Sequence, residues 1–287
     1  MNLTADTFQG HAGWRWSLPN GDSVFVAQQG AQVLSWHAAG AERLYLSPNS
    51  ACDGHTAIRG GVPVCFPQFN QRGNLPKHGF VRNMTWHLLE NSGDTTAQVF
   101  ELQANDTTRS IWPVNFRALL IVDLQVQQLK ISLRVENHGD QSFTFTGALH
   151  TYLAVSAIDQ VSVHGQSQQP EWDAVLDTHQ TCSGQLSFSS EFDRVYDVIP
   201  KVLEQNQSEQ AAPTWRLHDG SQTLKISQSD AWGQSVVWNP GAQKAAQLTD
   251  LPANGYLKML CIEAARVNTP IEVPASQAWE AWQQFNL

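Results

Sequence analysis

The chain has 287 residues, 41% of them hydrophobic and 15% charged, which excludes a disordered or coiled-coil protein and leaves ample length for a large core. With 26 acidic against 17 basic residues the net charge is -9, so nucleic acid is not an expected partner, because backbone phosphates call for a net basic surface. No run approaches the ~20 apolar residues of a membrane span, and no membrane partner is expected either.

The opening MNLTADTFQG shows neither a basic n-region nor an apolar h-region, so no signal peptide is visible, and a reduced, cytoplasmic compartment is the expectation. The first strand candidates follow, VFVAQQ and RLYLS, then AQVFELQA and NFRALLIVDLQV. The clearest alternation is LKISLRVEN, where Leu129, Ile131, Leu133 and Val135 point one way and Lys130, Ser132, Arg134 and Glu136 the other. The turn HGD with Gly139 then leads into SFTFTGALHTYLAV, which predicts a hairpin between the two runs. Segments 166–181 and 275–284 are expected to supply a helical turn or two each. The Gln-rich stretch 204–210 reads as a solvated loop, and QTLKISQ, QSVVWNP and YLKMLCIEAA complete the strands. Antiparallel-looking strands span both halves without a Pro/Gly linker, so residues 1–287 are read as one all-β, sandwich-type domain. Cys52, Cys65, Cys182 and Cys261 lack close CxxC pairing, which argues against a zinc site or a disulfide framework.

Three features carry chemistry. From Gly54 through Leu89 there is no aspartate or glutamate, yet the window holds Arg59, Arg72, Lys77 and Arg82 with three histidines. If its Gly/Pro-shaped loops fold over one place, they create a locally positive surface; arginine forks match phosphate oxygens better than lysine, although pairing with carboxylates elsewhere explains the same charges. His150 heads HTYLAV and falls on the face of Thr146, Ala148 and Tyr152; Glu263 sits in CIEAA on the face of Met259 and Cys261. A carboxylate there is costly to bury, and burial raises its pKa toward the range useful for proton transfer. Lone strand residues of either kind are more often structural, and no spacing rule joins these two. Asp193, in FDRVY, could receive sugar hydroxyls or pair with neighbouring Arg194; Trp238, in VVWNP, is a stacking platform or a rim core residue.

Taken in order, RGGVPVCFPQF, KHGFVR, GALHTYLAV, FDRVY, VVWNP and CIEAA resemble the hexose-6-phosphate mutarotases (glucose-6-phosphate 1-epimerases), relatives of the aldose 1-epimerases. The resemblance runs from roughly residue 20 to residue 280. It implies a galactose-mutarotase-like β-supersandwich of large antiparallel sheets with few short helices. It also implies interconversion of the anomers of a hexose 6-phosphate, with glucose 6-phosphate the expected substrate. His150 would act as acid, Glu263 as base, Arg59 and Arg82 on the phosphate, and His78 and Asp193 on ring oxygens. The family often shows FPWFG where this chain has FPQFN, so Gln68 replaces a tryptophan in a loop near the substrate. One acid and one base on opposite sides of the hemiacetal suffice, with no metal and no other cofactor. The expected partner is a small sugar phosphate, the chain acting as a monomer or a homodimer. Other classes remain in view: a non-catalytic sugar-phosphate sensor, a mutarotase for unphosphorylated aldoses, and a lyase or hydrolase, which would want two carboxylates about a glycosidic bond.

Overall fold

The computed structural model describes residues 3–89, 96–198 and 214–287; the stretch 204–210, expected as a loop, lies outside them. Three antiparallel sheets of five, nine and eight strands dominate it. Helical pieces are short: Asp106–Ile111 and Gly241–Ala245, with 3-10 turns at Val81–Asn83 and Gly255–Lys258. No helix among the described residues is long and apolar enough to cross a membrane.

Period-2 alternation explains how the sheets pack. In strand Gln128–Asn137 the side chains of Leu129, Ile131, Leu133 and Val135 are fully buried, while Lys130, Arg134 and Glu136 reach the outer face. They join a core shared by all three sheets, with Trp16 and Trp36 from the five-stranded sheet and Leu149, Leu153 and Ile262 from the eight-stranded one. The central strands of the eight-stranded sheet are Phe192–Asp197, Gln234–Asn239, Met259–Val273 and Phe143–Leu149, in that order. One face of this sheet enters the shared core; the other carries the cavity described below, beside a second apolar cluster of Cys65, Phe69, Ala148, Val195 and Val236.

Several expectations are corrected. Gln128–Asn137 and Phe143–Leu149 do not form a hairpin: the first pairs with Phe116–Gln125 and Ala278–Asn286, the second with Met259–Val273 and Val64–Cys65. Both edges of the first strand are already occupied, so the HGD turn carries the chain across to the other sheet. Buried Asn137 secures that crossing, donating to the carbonyls of Gln141 and Val273 and accepting from the Gly139 amide. Segment 166–181 contains no helix but the paired strands Pro170–Asp173 and Thr178–Thr181. Segment 275–284 enters strand Ala278–Asn286, whose alternation is disguised because Gln283, a polar residue, takes a fully buried position. RLYLS makes only isolated bridges, Leu44 to Leu153 and Leu46 to Gly60.

Candidate active site

Cross-strand register places the site. Leu149 faces Ala264 and Tyr152 faces Cys261, so the count between the two strands is kept through the break at residues 150–151 and sets His150 opposite Glu263. Val236 faces Glu263 in turn, and Val195 faces Val236. One row across four strands therefore reads Val195, Val236, Glu263, His150. The next row, two residues along each strand, reads Asp193, Trp238, Cys261, Tyr152. Side chains two apart on a strand share a face, which puts the polar members of both rows on the cavity side.

The break at His150 is held from three directions. The His150 amide donates to the Pro63 carbonyl at 3.0 Å, and the Ile262 amide donates to the Thr151 carbonyl at 3.1 Å. From beneath, Gln283 accepts the Thr151 hydroxyl proton at 2.6 Å and donates to the Ile262 carbonyl at 3.0 Å. Neighbours of both site residues are thus tied to the opposite sheet.

The walls are loops around a cavity of about 540 Å³. Residues 66–80 form one wall. Gln68 organises it internally: its amide donates to the Asn70 and Leu75 carbonyls and accepts from the Leu75 amide. Gly79 is required where the loop closes, because a Cβ there would lie 1.9 Å from the Phe66 carbonyl oxygen at a φ of +71°. This closure presents His78 to the cavity. His78 Nδ1 accepts from the Asn70 amide at 3.2 Å and lies 3.3 Å from the Cys65 thiol, which fixes the proton of the neutral ring on Nε2. Across the mouth stand Trp172 and Val175 of the 170–181 hairpin, and Lys244, 2.5 Å from Glu191.

His150, Glu263, His78, Asp193, Trp238 and Arg59 all line the cavity. Trp238 is half-buried with its ring edge-on to His150 and Tyr152. Asp193 faces inward alone; its neighbour Arg194 turns away to pair with Glu171 and Asp173. Two of the residues expected to touch substrate stand outside the cavity lining. The Gln68 side chain does not line the cavity, since its amide is spent within the loop. Arg82 does not line it either and donates to the Lys77 carbonyl at 2.9 Å, behind the wall. Arg59 reaches the cavity with its fork already closed on Asp250 and on the Tyr152 hydroxyl. The cations that sequence reading left unassigned are Lys77, Lys244 and Arg72, all at the wall. The acid-free window contained two of them, Arg72 and Lys77, but preference for arginine forks singled out Arg59 and Arg82.

Electrostatics divide the site. His150 Nε2 lies 3.3 Å from Glu263 Oε1, with both side chains buried. Burial, reinforced by Asp193, raises the Glu263 carboxyl well above the usual range; burial, then repulsion from Arg59 and Arg82, lowers the imidazole to about 3. Both shifts favour an uncharged pair holding one proton between its members. Glu263 Oε2 and His150 Nδ1 are buried without hydrogen-bond partners, each costing about 1–3 kcal/mol. Burial also raises Asp193 to about 6, partly opposed by Lys244. Lys77 is lowered by burial and by repulsion from Lys244, Arg59 and Arg82, the mark of a positive field at this end. Cys261 completes a set with His150 and Glu263 whose donor atoms lie within 4.8 Å of one another and could hold a metal ion. Burial holds the thiol protonated, so such binding would first have to expel that proton.

A buried histidine–glutamate contact under a polar, cation-rimmed cavity suits a sugar epimerase, and comparison with known proteins fixes the class. A model of the aldose 1-epimerase family matches residues 14–286, and the chain belongs to that family. Among its relatives, a protein of Escherichia coli strain K12 named "Putative glucose-6-phosphate 1-epimerase" is 36% identical over 248 residues, covering 83% of this chain and 78% of the relative. A protein of the same name from Cenchrus ciliaris is 32% identical over 263 residues, covering 87% of this chain and 77% of its own length. The crystal structure of a "putative mutarotase" from Salmonella typhimurium superposes with a TM-score of 0.85 at 28% identity, over 99% of this chain and 92% of that one. A galactose mutarotase-like protein from Clostridium acetobutylicum shares the fold, with a TM-score of 0.71 at 13% identity over 99% and 98% of the two chains. The chain is an enzyme of the mutarotase and epimerase class, built on a galactose mutarotase-like fold.

Proposed function

We propose that the enzyme interconverts the α and β anomers of a hexose 6-phosphate, glucose 6-phosphate above others, by opening and reclosing the ring. The observation that carries this reading is the buried 3.3 Å contact between His150 and Glu263 on the floor of a cavity whose far wall carries Lys77, Arg72 and Lys244. Anomerisation needs O1 to lose a proton while O5 gains one. Both oxygens are bonded to C1, so an acid and a base standing side by side can serve them. The expected arrangement on opposite sides of the hemiacetal gives way to neighbours on adjacent strands.

Passing the shared proton across the 3.3 Å contact converts carboxyl and neutral imidazole into carboxylate and imidazolium without changing the total charge of the pair. Glu263 then takes the O1 proton, and His150 donates to O5 as the O5–C1 bond breaks. Rotation about C1–C2 presents the other carbonyl face, and the reverse transfers close the ring and restore both groups. Asp193, with the Nε2–H of His78, binds hydroxyls and holds the ring over the pair; Trp238 offers an apolar edge. Lys77 has no ion pair among the described residues, and together with Lys244 it receives the phosphate.

A sugar-phosphate sensor would gain nothing from burying an acid and a base with unpaired atoms, because binding alone does not offset that cost. The test is anomer equilibration followed by polarimetry or NMR exchange at neutral pH, with glucose 6-phosphate beside free glucose and galactose. Fast exchange of glucose 6-phosphate is expected, with free glucose and galactose accelerated far less; no acceleration of any hexose phosphate would overturn the reading.

A further inference from the structure

The imidazole of His150 lacks the device that usually orients such a ring. An acid–base histidine is commonly aimed by a carbonyl or carboxylate on its second nitrogen. Here that nitrogen, Nδ1, is buried without a hydrogen-bond partner, while Nε2 faces Glu263. Tyr152 is stacked on the ring with an interplanar angle of 10° and centroids 4.8 Å apart, while His78 and Trp238 meet it edge-on.

Tyr152 is itself fixed at its far end. Its hydroxyl accepts from Arg59 Nη1 at 3.0 Å, and Arg59 Nε and Nη2 donate to the two carboxylate oxygens of Asp250 at 3.0 Å each. The backbone locks the same residues: the Arg59 carbonyl accepts from the Ser47 amide, and the Ser47 hydroxyl donates to the Asp250 carbonyl at 2.7 Å.

We propose that Asp250, Arg59 and Tyr152 form a strut that sets the angle of the His150 ring, so that Arg59 acts on that ring as a positioning residue. The proposal rests on the acid role given to His150 above. The carboxylate and the phenol take three of the five guanidinium N–H groups and fix where the phenol stands, and the phenol lies flat against the imidazole face that His78 and Trp238 meet only edge-on. The positive charge of Arg59 adds to the effect, since it disfavours the imidazolium and so makes that ring a readier proton donor.

The experiment compares Tyr152→Leu, Tyr152→Phe and Asp250→Ala with the wild type in two measurements. Kinetics give kcat and KM for glucose 6-phosphate, and kcat/KM for free glucose. Misaiming a reacting group by about 1 Å can cost on the order of 100-fold, so Tyr152→Leu should lower kcat by about 10- to 100-fold with KM changed less than about threefold. Asp250→Ala should lose about tenfold in kcat, and in kcat/KM alike for both sugars, because the fork stays tied only at the phenol. Tyr152→Phe keeps the stack and should fall between wild type and Asp250→Ala; it also serves if the leucine variant does not fold. The second measurement reads the His150 ring protons by NMR. In the wild type they should be shifted upfield by the stacked phenol, and Tyr152→Leu should abolish that shift. Loss confined to the phosphorylated sugar and to KM would show that these residues act on the phosphate and not on the ring and would overturn the strut, as would an unchanged kcat in Tyr152→Leu. If no hexose phosphate is epimerised at all, the functional reading falls, while the ring shift still decides whether the strut orients His150.

Discussion

On the outer face of the nine-stranded sheet, Arg117 contacts Glu101 at 2.5 Å and Glu136 at 3.3 Å, and Arg134 contacts Glu136 at 2.8 Å and Glu280 at 3.4 Å. On the cavity floor of the eight-stranded sheet, His150 and Glu263 stand 3.3 Å apart. Water reaches the first group, and its hydrogen bonds, Arg134 foremost, hold Glu136 below the ordinary carboxylate range. Burial governs the second and drives Glu263 the opposite way. The outer network is charged, mutually satisfied and replaceable. Burial disfavours charge on the floor pair and leaves Glu263 Oε2 and His150 Nδ1 without hydrogen-bond partners, a state that costs stability. A partner sets the titration of a group that water reaches, whereas burial sets it for one that water does not.

The sharpest break in that contrast is Glu263→Gln. It should cost about 1,000-fold or more in mutarotation of glucose 6-phosphate, the upper range for a lost general base, while the melting temperature holds or rises. Near wild-type activity would remove the base assignment. His150→Asn keeps a hydrogen bond to O5 but no transferable proton, so the rate should fall about 100-fold. Normal activity per folded molecule with a lowered melting temperature would make His150 a core residue only.

Next come the cations. Lys77→Ala and Lys244→Ala should each reduce kcat/KM on glucose 6-phosphate by about tenfold, the scale of one charge-assisted hydrogen bond, and leave free glucose unaffected. Equal losses on both sugars would show that the lysines merely shape the wall.

Asp193 tests the rule through pH. A carboxylate that accepts sugar hydroxyls must be ionised to work best, so kcat/KM should climb as pH rises through about 6, and Asp193→Asn should lose that limb. The same raised pKa has a stability sign. The proton is bound more tightly in the folded state, so the contribution is full below 3.8 and is lost as pH rises through about 6. Asp193→Asn should therefore improve the melting temperature more at about pH 8 than at about pH 4. The smallest effect is expected outside: Glu136→Gln should change stability by about 1 kcal/mol or less and leave activity intact.

The floor was legible in the sequence because a polar residue in an apolar strand is a local signal. His150 and Glu263 stood out in HTYLAV and CIEAA, yet their pairing across strands was not readable, since register between distant strands leaves no trace in either string. The same blindness misled the reading of HGD, where a turn signals reversal but not which sheet receives the next strand. Gln283 hid a strand because its amide serves Thr151 and Ile262 from inside the core. The cationic wall was legible only as a field. The acid-free window marked the right loops, but Arg59 is bound by Asp250, a residue in a distant loop with no motif around it. Lys244 follows VVWNP by a few residues and reaches the cavity from the helix Gly241–Ala245, a placement that only the fold reveals.

The loop that Gln68 knots to its own backbone is a separate piece of workmanship from the ladders beneath it. Register keeps His150 and Glu263 facing each other, and the wall of residues 66–80 contributes no step to that count. Descent can therefore rewrite the wall without disturbing the floor. A lineage that exchanged Lys77 for an uncharged residue would inherit the His150–Glu263 contact intact and, on the proposed function, lose part of its preference for the phosphorylated sugar.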